Sequence, residues 1–164
     1  MHPANWGYDS SWMAEAGKFE RLWIQAQEWS LRTLGHIGSQ STPAHLLTGL
    51  RGERAALFEL RRRGYAVVAH RWTSSRMRGD VDLIAWDGEW LCFVEVKTRT
   101  ARGMTPAESA VDDDKRTMLR QLARLYLRGF PDAEQRTIPV RFDVVSVYPG
   151  DETEFEIFKG AFAW

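Results

Sequence analysis

The sequence has little of what secreted and membrane proteins need. Its 164 residues include a single cysteine, Cys92, which cannot form an internal disulfide. No apolar run approaches the roughly eighteen residues of a membrane-spanning helix. The N-terminal stretch MHPANWGYDSSWMAEAGKFER lacks the basic start and the apolar core of a signal peptide. We therefore expect a cytoplasmic protein without membrane contact, in which Cys92 is a small buried apolar residue.

Net charge is also absent, but the charges are unevenly distributed along the chain. Residues 51 to 78 contain eight arginines against two glutamates, and residues 115 to 131 contain five basic residues and no acid. Arginine suits bidentate phosphate contacts, so these segments favour nucleic acid as a partner. Solvated helix and strand faces are the alternative explanation of the same runs.

Two regions with different patterns meet at about residue 42. Residues 11 to 34 carry aromatic and apolar residues at helical spacing, and residues 35 to 43 have the composition of a linker. We predict that residues 1–42 form a Trp-rich N-terminal helical extension and that residues 43–164 form the main domain. Three roles stay open for the extension: packing onto the main domain, contact with a second copy of the chain, and binding of a protein partner.

The main domain is predicted to have the element order α-β-β-β-α-β-β. Periodicity and β-branched content predict helices at 45–63 and 112–128 and strands at 65–72, 140–148 and 154–158. Residues 73–79 and 100–108 are predicted loops, and Asp87-Gly88 is the predicted turn between two further strands. These elements predict an α/β fold, with a mixed sheet of about five strands flanked by helices.

The stretch GDVDLIAWDGEWLCFVEVKTR, residues 79 to 99, places ionisable side chains inside two apolar strands. With Asp87-Gly88 as the turn, Asp82 would face Phe93 and Asp80 would face Glu95. Strand alternation would then place four charged side chains on one face of the hairpin: Asp80, Asp82, Glu95 and Lys97. The other face would carry Val81, Leu83, Val94 and Val96. Asp82 and Glu95 become diagonal neighbours, close enough for both carboxylates to contact one ion.

Two carboxylates this close repel each other unless one is protonated or a cation lies between them. A hard divalent ion that prefers oxygen ligands, Mg²⁺ or Mn²⁺, would remove the conflict. Lys97 would face the same cavity, where an ammonium group can orient water or stabilise charge on a phosphate. This combination predicts metal-assisted phosphodiester hydrolysis. The alternative is a buried ion pair, in which Lys97 only neutralises the two acids.

Residues 43 to 162 resemble the YraN family, an uncharacterised bacterial branch of the PD-(D/E)XK restriction-endonuclease-like superfamily close to archaeal Holliday junction resolvases. The resemblance is carried, in order, by GLRGERAALFELRRRGYAVVAHRW, GDVDLIAWDGEWLCFVEVKTR, DDKRTMLRQLARLYL and RFDVVSV. It implies that Asp82 and Glu95 bind the metal, that Lys97 is the catalytic lysine, and that the helical Glu53 supports the metal site. Two positions depart from the pattern: Asp80 stands where the family usually has glutamate, and Val81 stands where the superfamily often has proline.

We accordingly predict a restriction-endonuclease-like domain that acts as an Mg²⁺- or Mn²⁺-dependent nuclease on DNA, on branched or single-stranded structures. The Val96 carbonyl is a further candidate metal ligand. The candidate phosphate contacts are five arginines: Arg78, Arg99, Arg116, Arg120 and Arg124. Asp143 is expected to pair with Arg141 or to cap a neighbouring element, and His70 to be structural or exposed. A non-catalytic module that binds nucleic acid or a protein partner through the same fold is the rival prediction.

Overall fold

The computed structural model describes residues 44–99 and 111–164. Helix α1 (Ala44–Arg62) is followed by strands β1 (Ala66–Ser74), β2 (Met77–Asp87) and β3 (Trp90–Thr98). Helices α2 (Asp113–Leu127) and α3 (Asp132–Gln135) come next, and then strands β4 (Val140–Tyr148) and β5 (Glu154–Phe162). The predicted Trp-rich extension, the linker, the boundary at residue 42 and the loop 100–108 lie outside the described residues.

The five strands form one mixed sheet in the order β1-β2-β3-β4-β5. Neighbouring strands are antiparallel except for β3 and β4, which are parallel. Helix α2 lies in the connection between this parallel pair, as a crossover between parallel strands requires. The predicted α/β architecture, a mixed five-stranded sheet with helices, is confirmed.

Each face of the sheet is covered by one long helix, because each helix has an apolar side. Helix α1 packs Ala56, Leu57 and Leu60 onto a first cluster that includes Leu83 and Val94. Helix α2 contributes apolar residues to a second cluster on the opposite face: Leu119, Leu122, Ala123 and Leu127. Cys92 is fully buried in the first cluster, as predicted. Within the described ranges, no helix is both long enough and apolar enough to span a membrane.

Three local predictions differ from the structure. The predicted loop 73–79 is wrong, because β1 and β2 form a tight hairpin in which Ser74 pairs with Met77. Strand β5 extends beyond residue 158 to Phe162, whose ring packs against the second cluster. Gly160, with a φ of 66°, is accommodated inside this strand at an irregularity of the β4–β5 register. The short helix α3 follows Pro131 and was not predicted.

Candidate active site

The β2–β3 hairpin turns one residue later than predicted. Asp87 pairs with Trp90, and Gly88 and Glu89 form the turn between them. Gly88 has a φ of 60°, which suits glycine at the first central position of a two-residue loop. The predicted pairing of Asp82 with Phe93 is therefore wrong, and Phe93 pairs with Ile84 instead.

The pairing of β2 with β3 ends at Leu83 and Val94, immediately before the two acids. One step further, the Asp82 carboxylate accepts a hydrogen bond of 2.7 Å from the backbone N–H of Val96. A side-chain oxygen thus satisfies an N–H that a regular ladder would direct to a strand carbonyl. This substitution brings Asp82 up to the segment of β3 that carries Glu95.

The predicted division of the hairpin into two faces is also corrected here. Val81 packs with Ile84 in the α2-side cluster, whereas Leu83 packs in the α1-side cluster. Val81 and Ile84 are three residues apart, and a regular strand would place them on opposite faces. Because they share a face, the alternation of β2 is interrupted at Asp82. Asp80 does not pair with Glu95, because the β2–β3 pairing ends at Leu83 and Val94. It pairs with Thr73 of β1, and its carboxylate lies 3.8 Å from Arg71 Nε.

The site is a cleft of about 450 Å³ between the first half of α1, the middle of β2 and the C-terminal end of β3. It is lined by Thr48, Gly49, Glu53, Asp82, Glu95, Val96, Lys97 and Thr98. A Cβ atom on Gly52 would overlap the Thr98 hydroxyl, so glycine lets α1 approach β3 closely. The structure therefore brings together Glu53 and the predicted metal and lysine positions of the hairpin, while their roles stay predictions.

Asp82 and Glu95 are both buried at the base of this cleft, with 8% and 4% of their surface exposed. Burial, followed by the negative charge of Glu95, raises the pKa of Asp82 to about 7. The hydrogen bond from Val96 acts in the opposite direction and does not cancel the shift. In the free protein, two carboxylates thus lie close together, and the pKa of Asp82 is raised into the neutral range.

Two lysines contact Glu95, one on each carboxylate oxygen. Lys97 Nζ lies 3.0 Å from Oε1, and Lys115 Nζ of α2 lies 3.0 Å from Oε2. Burial acts to lower the pKa of Lys115, but the charge of Glu95 and the contact with it raise that pKa overall. Glu95 is therefore compensated by two ammonium groups in the free protein.

Glu53 lines the same cleft, but its carboxylate is engaged by β1. Its Oε2 lies 3.1 Å from His70 Nε2 and 3.8 Å from Arg71 Nε. Arg71 has a φ of 50°, a left-handed conformation that is uncommon for residues other than glycine. Such outliers concentrate at functional sites, which fits the position of Arg71 beside the cleft.

The donor set fits a hard divalent cation that keeps some of its water. Asp82, Glu95 and the Val96 carbonyl would hold the ion, and Mg²⁺ commonly uses one or two carboxylates with several waters. Among residues 44–99 and 111–164, no three His, Cys, Asp or Glu side chains converge into a ready-made cluster. The fit therefore rests on a pair of carboxylates, with Glu53 as a supporting group rather than a third ligand.

The predicted arginines are not among the residues that line the cleft. Arg116 and Arg120 lie over the ring of Phe162 at 5.7 and 5.5 Å, and Arg124 lies over Trp164 at 5.3 Å. Arg120 also donates to the Ala163 carbonyl, so this row of α2 packs against the C-terminal residues. Of the remaining two, Arg78 lies at the start of β2 and is exposed, and Arg99 directly follows β3 and is half-buried. Phosphate binding by all five stays a prediction.

A second charged group lies near the β2–β3 turn and contains Asp143, Arg141, Asp87 and Lys159. Arg141 donates to both oxygens of Asp143 at 2.8 and 2.9 Å, which confirms the predicted pair. The backbone N–H of Gly160 also donates to Asp143 at 2.9 Å. Arg141 and Lys159 contact Asp87 at 2.6 and 2.7 Å. We call these four residues the turn-end network.

Sequence reasoning did not identify Lys115, His70 or Arg71 as neighbours of the site. Lys115 had a usable signal, because it is the third residue after the N-cap Asp112, where an acid is the common choice. His70 and Arg71 had none, since a polar pair on an edge strand is equally typical of a solvated surface.

The five-stranded α/β fold and the order Asp82, Glu95, Lys97 along two paired strands are consistent with the PD-(D/E)XK superfamily. The family model described as "Uncharacterised protein family UPF0102" matches residues 52–147, which is more than half of the chain. The chain belongs to this family, which is the YraN family of the resemblance.

Relatives from several bacteria support this assignment. A UPF0102 protein of Koribacter versatilis is 47% identical over 121 residues, which cover 73% of this chain and 82% of the relative. A UPF0102 protein of Solibacter usitatus is 44% identical over 111 residues, 68% of this chain and 82% of the relative. One of Rhodococcus jostii is 38% identical over 120 residues, 72% of this chain and 98% of the relative.

Proposed function

We propose that this chain is an Mg²⁺- or Mn²⁺-dependent nuclease that hydrolyses phosphodiester bonds in DNA. One observation carries the proposal: the buried Asp82 and Glu95 share an open cleft with Lys97, and the pKa of Asp82 is raised to about 7. A carboxylate pair that repels itself in the free protein gains most from a bound divalent cation. A buried acid pair with a raised pKa at the base of an open cleft is typical of a functional site rather than of a stabilising one.

The residues of the cleft would divide the work as follows. Asp82, Glu95 and the Val96 carbonyl would hold the metal, which when bound supplies charge neutralisation at the phosphate and a more acidic water. Lys97, whose side chain is 36% exposed, would orient the attacking water and stabilise negative charge that develops on the phosphate. Glu53, fixed by His70 and Arg71, would keep a negative potential at the α1 side of the cleft.

DNA is the proposed substrate because of the family resemblance and the arginine-rich segments, with branched or single-stranded structures as the preferred forms. Binding through phosphate contacts releases counterions, so affinity should fall steeply as salt rises from 50 to 200 mM. Affinity that does not change over this salt range would contradict a nucleic-acid substrate.

A specific observation favours the second candidate, a non-catalytic module that binds nucleic acid or a protein partner. Both oxygens of Glu95 are already in ion pairs with lysines, and this neutralises the carboxylate without a metal. In that case the cleft is an internal ion-pair site that the fold has kept after its chemistry was lost.

Cleavage of a labelled substrate panel distinguishes the two candidates. The panel contains a four-way junction, a flap, a single strand and a duplex, each with Mg²⁺, Mn²⁺ or EDTA. We expect metal-dependent cutting that Asp82→Ala abolishes and that Lys97→Ala reduces by about 10²- to 10⁴-fold. Lys159→Ala is the matched control, because Lys159 also pairs with an acidic side chain, Asp87, but lies outside the cleft. Binding without cutting under every metal would support the non-catalytic module.

A further inference from the structure

We propose that Lys115 is an exchangeable countercharge of the cleft. It would neutralise Glu95 in the metal-free protein and would contact a substrate phosphate once a divalent cation occupies the carboxylates. This inference rests on the proposed function, and it adds a substrate-binding residue from α2 to a site otherwise built by α1 and the hairpin.

The contact geometry separates Lys115 from Lys97. Lys97 lies on the same strand as Glu95, two residues further on, whereas Lys115 reaches Glu95 from a different element. The Glu95 side chain is 5% exposed, while that of Lys115 is 23% exposed. An ammonium group that contacts a buried acid from a partly exposed position can leave it without crossing the core.

The local sequence of α2 does not explain a lysine at position 115. Asp112 caps the helix and accepts the backbone N–H of Lys115 at 2.7 Å, which places Lys115 in the first turn. The positive end of the helix dipole disfavours a cation there, and the preceding residues of this turn are Asp113 and Asp114. The ion pair with Glu95 gives Lys115 its favourable environment, and departures from a local preference are typical of functional positions.

The charges of the site indicate what happens when a metal enters. Two ammonium groups already contact Glu95 in the free protein, so a divalent cation would add further positive charge beside them. The cation competes with Lys115 for Glu95 Oε2 and repels its ammonium group. A phosphodiester in the cleft carries the negative charge that compensates this added charge, and it gives Lys115 a new partner. Metal binding and phosphate binding would thereby be coupled.

The test compares Lys115→Met with the wild type in two assays that need no catalysis. Calorimetric titration with Mn²⁺ alone should show about tenfold tighter binding in the variant, because a competing cation is gone. Binding of a labelled DNA in Ca²⁺ should weaken, and the slope of log affinity against log salt should fall by about 0.9, the value for one lost phosphate contact. Lys159→Met removes the same charge outside the cleft and should change neither quantity.

Lys115→Gln serves as a second variant if the methionine variant does not fold, and it should shift both quantities in the same directions. Unchanged Mn²⁺ affinity and an unchanged salt slope, in a wild type that binds Mn²⁺ and cuts DNA, would overturn the role of Lys115 alone. Weaker Mn²⁺ binding in the variant would also overturn it, because Lys115 would then support the metal site. A wild type that binds no Mn²⁺ and cuts nothing would overturn both this inference and the proposed function.

Discussion

The charges of two aspartates of strand β2, Asp87 at the turn and Asp82 in the middle of the strand, are compensated very differently. At the turn end, Asp87 is contacted by Arg141 and Lys159, and the neighbouring Asp143 accepts hydrogen bonds from Arg141 and Gly160. In the middle of β2, Asp82 lies beside a second acid, Glu95, and accepts a hydrogen bond from the backbone N–H of Val96. One sheet thus holds an aspartate that is paired with two cations and an aspartate that is buried beside another acid.

The pKa shifts of Asp87 and Asp82 have opposite signs. Burial acts to raise the pKa of Asp87, but the hydrogen bonds from Lys159 and Arg141 lower it overall. Burial and the charge of Glu95 raise the pKa of Asp82 to about 7. A lowered pKa means that the folded state favours the charged acid, and a raised pKa means the reverse. We infer that the turn-end network stabilises the fold, whereas the ionised form of Asp82 costs stability in the metal-free protein.

The largest expected effect comes from Arg141→Met, which breaks the turn-end network. The substitution leaves Asp143, only 1% exposed, as a buried charge without its guanidinium partner. We expect a loss of about 3–5 kcal/mol in the free energy of unfolding at pH 7.5, measured by urea denaturation. A loss below about 1 kcal/mol would show that the network is not a stabilising element.

The next effect has the opposite sign: Asp82→Asn should stabilise the metal-free protein at high pH. The pKa of Asp82 is raised from 3.8 to about 7 in the folded state, so wild-type stability declines as pH rises from about 4 to about 7. The asparagine variant has no ionisable group here, so its stability does not show this decline. Its side-chain oxygen can still accept the hydrogen bond from the Val96 N–H. We expect the free energy of unfolding to rise by about 2 kcal/mol at pH 8 and to be unchanged near pH 4. Urea denaturation across this pH range measures the difference.

Asp143→Asn is the matched control for the stabilisation expected from Asp82→Asn, because it applies the same substitution to an aspartate of the turn-end network. The asparagine cannot hold the Arg141 guanidinium through two charged oxygens, so it should destabilise the protein at pH 8. If Asp82→Asn and Asp143→Asn destabilised the protein equally, the contrast between the cleft and the turn-end network would be refuted.

The smallest effect should come from Lys159→Met at the rim of the turn-end network. The Lys159 side chain is 53% exposed, and Asp87 keeps its contact with Arg141. Exposed ion pairs contribute little, so we expect a change within about 1 kcal/mol in the urea unfolding free energy. A much larger loss would show that the exposed Lys159, and not only Arg141, contributes substantially to the stability of the turn-end network.

Much of the fold was readable from local patterns. Apolar periodicity and glycine positions gave both long helices and the strand at 140–148, because these elements bury a regular face. The loop at 73–79 was misjudged, since arginines and serines on an edge hairpin have the composition of a loop. The short β5 prediction stopped before Gly160, which in fact lies inside the strand.

The grouping of the candidate site residues was predictable but their geometry was not, and their roles stay predictions. Glu53, Asp82, Glu95 and Lys97 line one cleft, as the motif and the resemblance implied. The predicted faces failed because the strands are covered on both sides, so consecutive apolar residues such as Leu83 and Ile84 carry no alternation to read. Lys115 lies on α2, which is distant from the hairpin in sequence, so strand register alone cannot predict its contact with Glu95.

The most direct test of the central claim is thermal unfolding at pH 8 with and without Mn²⁺, on the wild type and on Asp82→Asn. If the cleft is a divalent-cation site, Mn²⁺ at about a hundredfold above its Kd should raise the wild-type Tm by about 5–10 °C. The Asp82→Asn variant should start from a higher Tm without metal and should not respond to Mn²⁺. No response in the wild type, or an equal response in both proteins, would contradict the account.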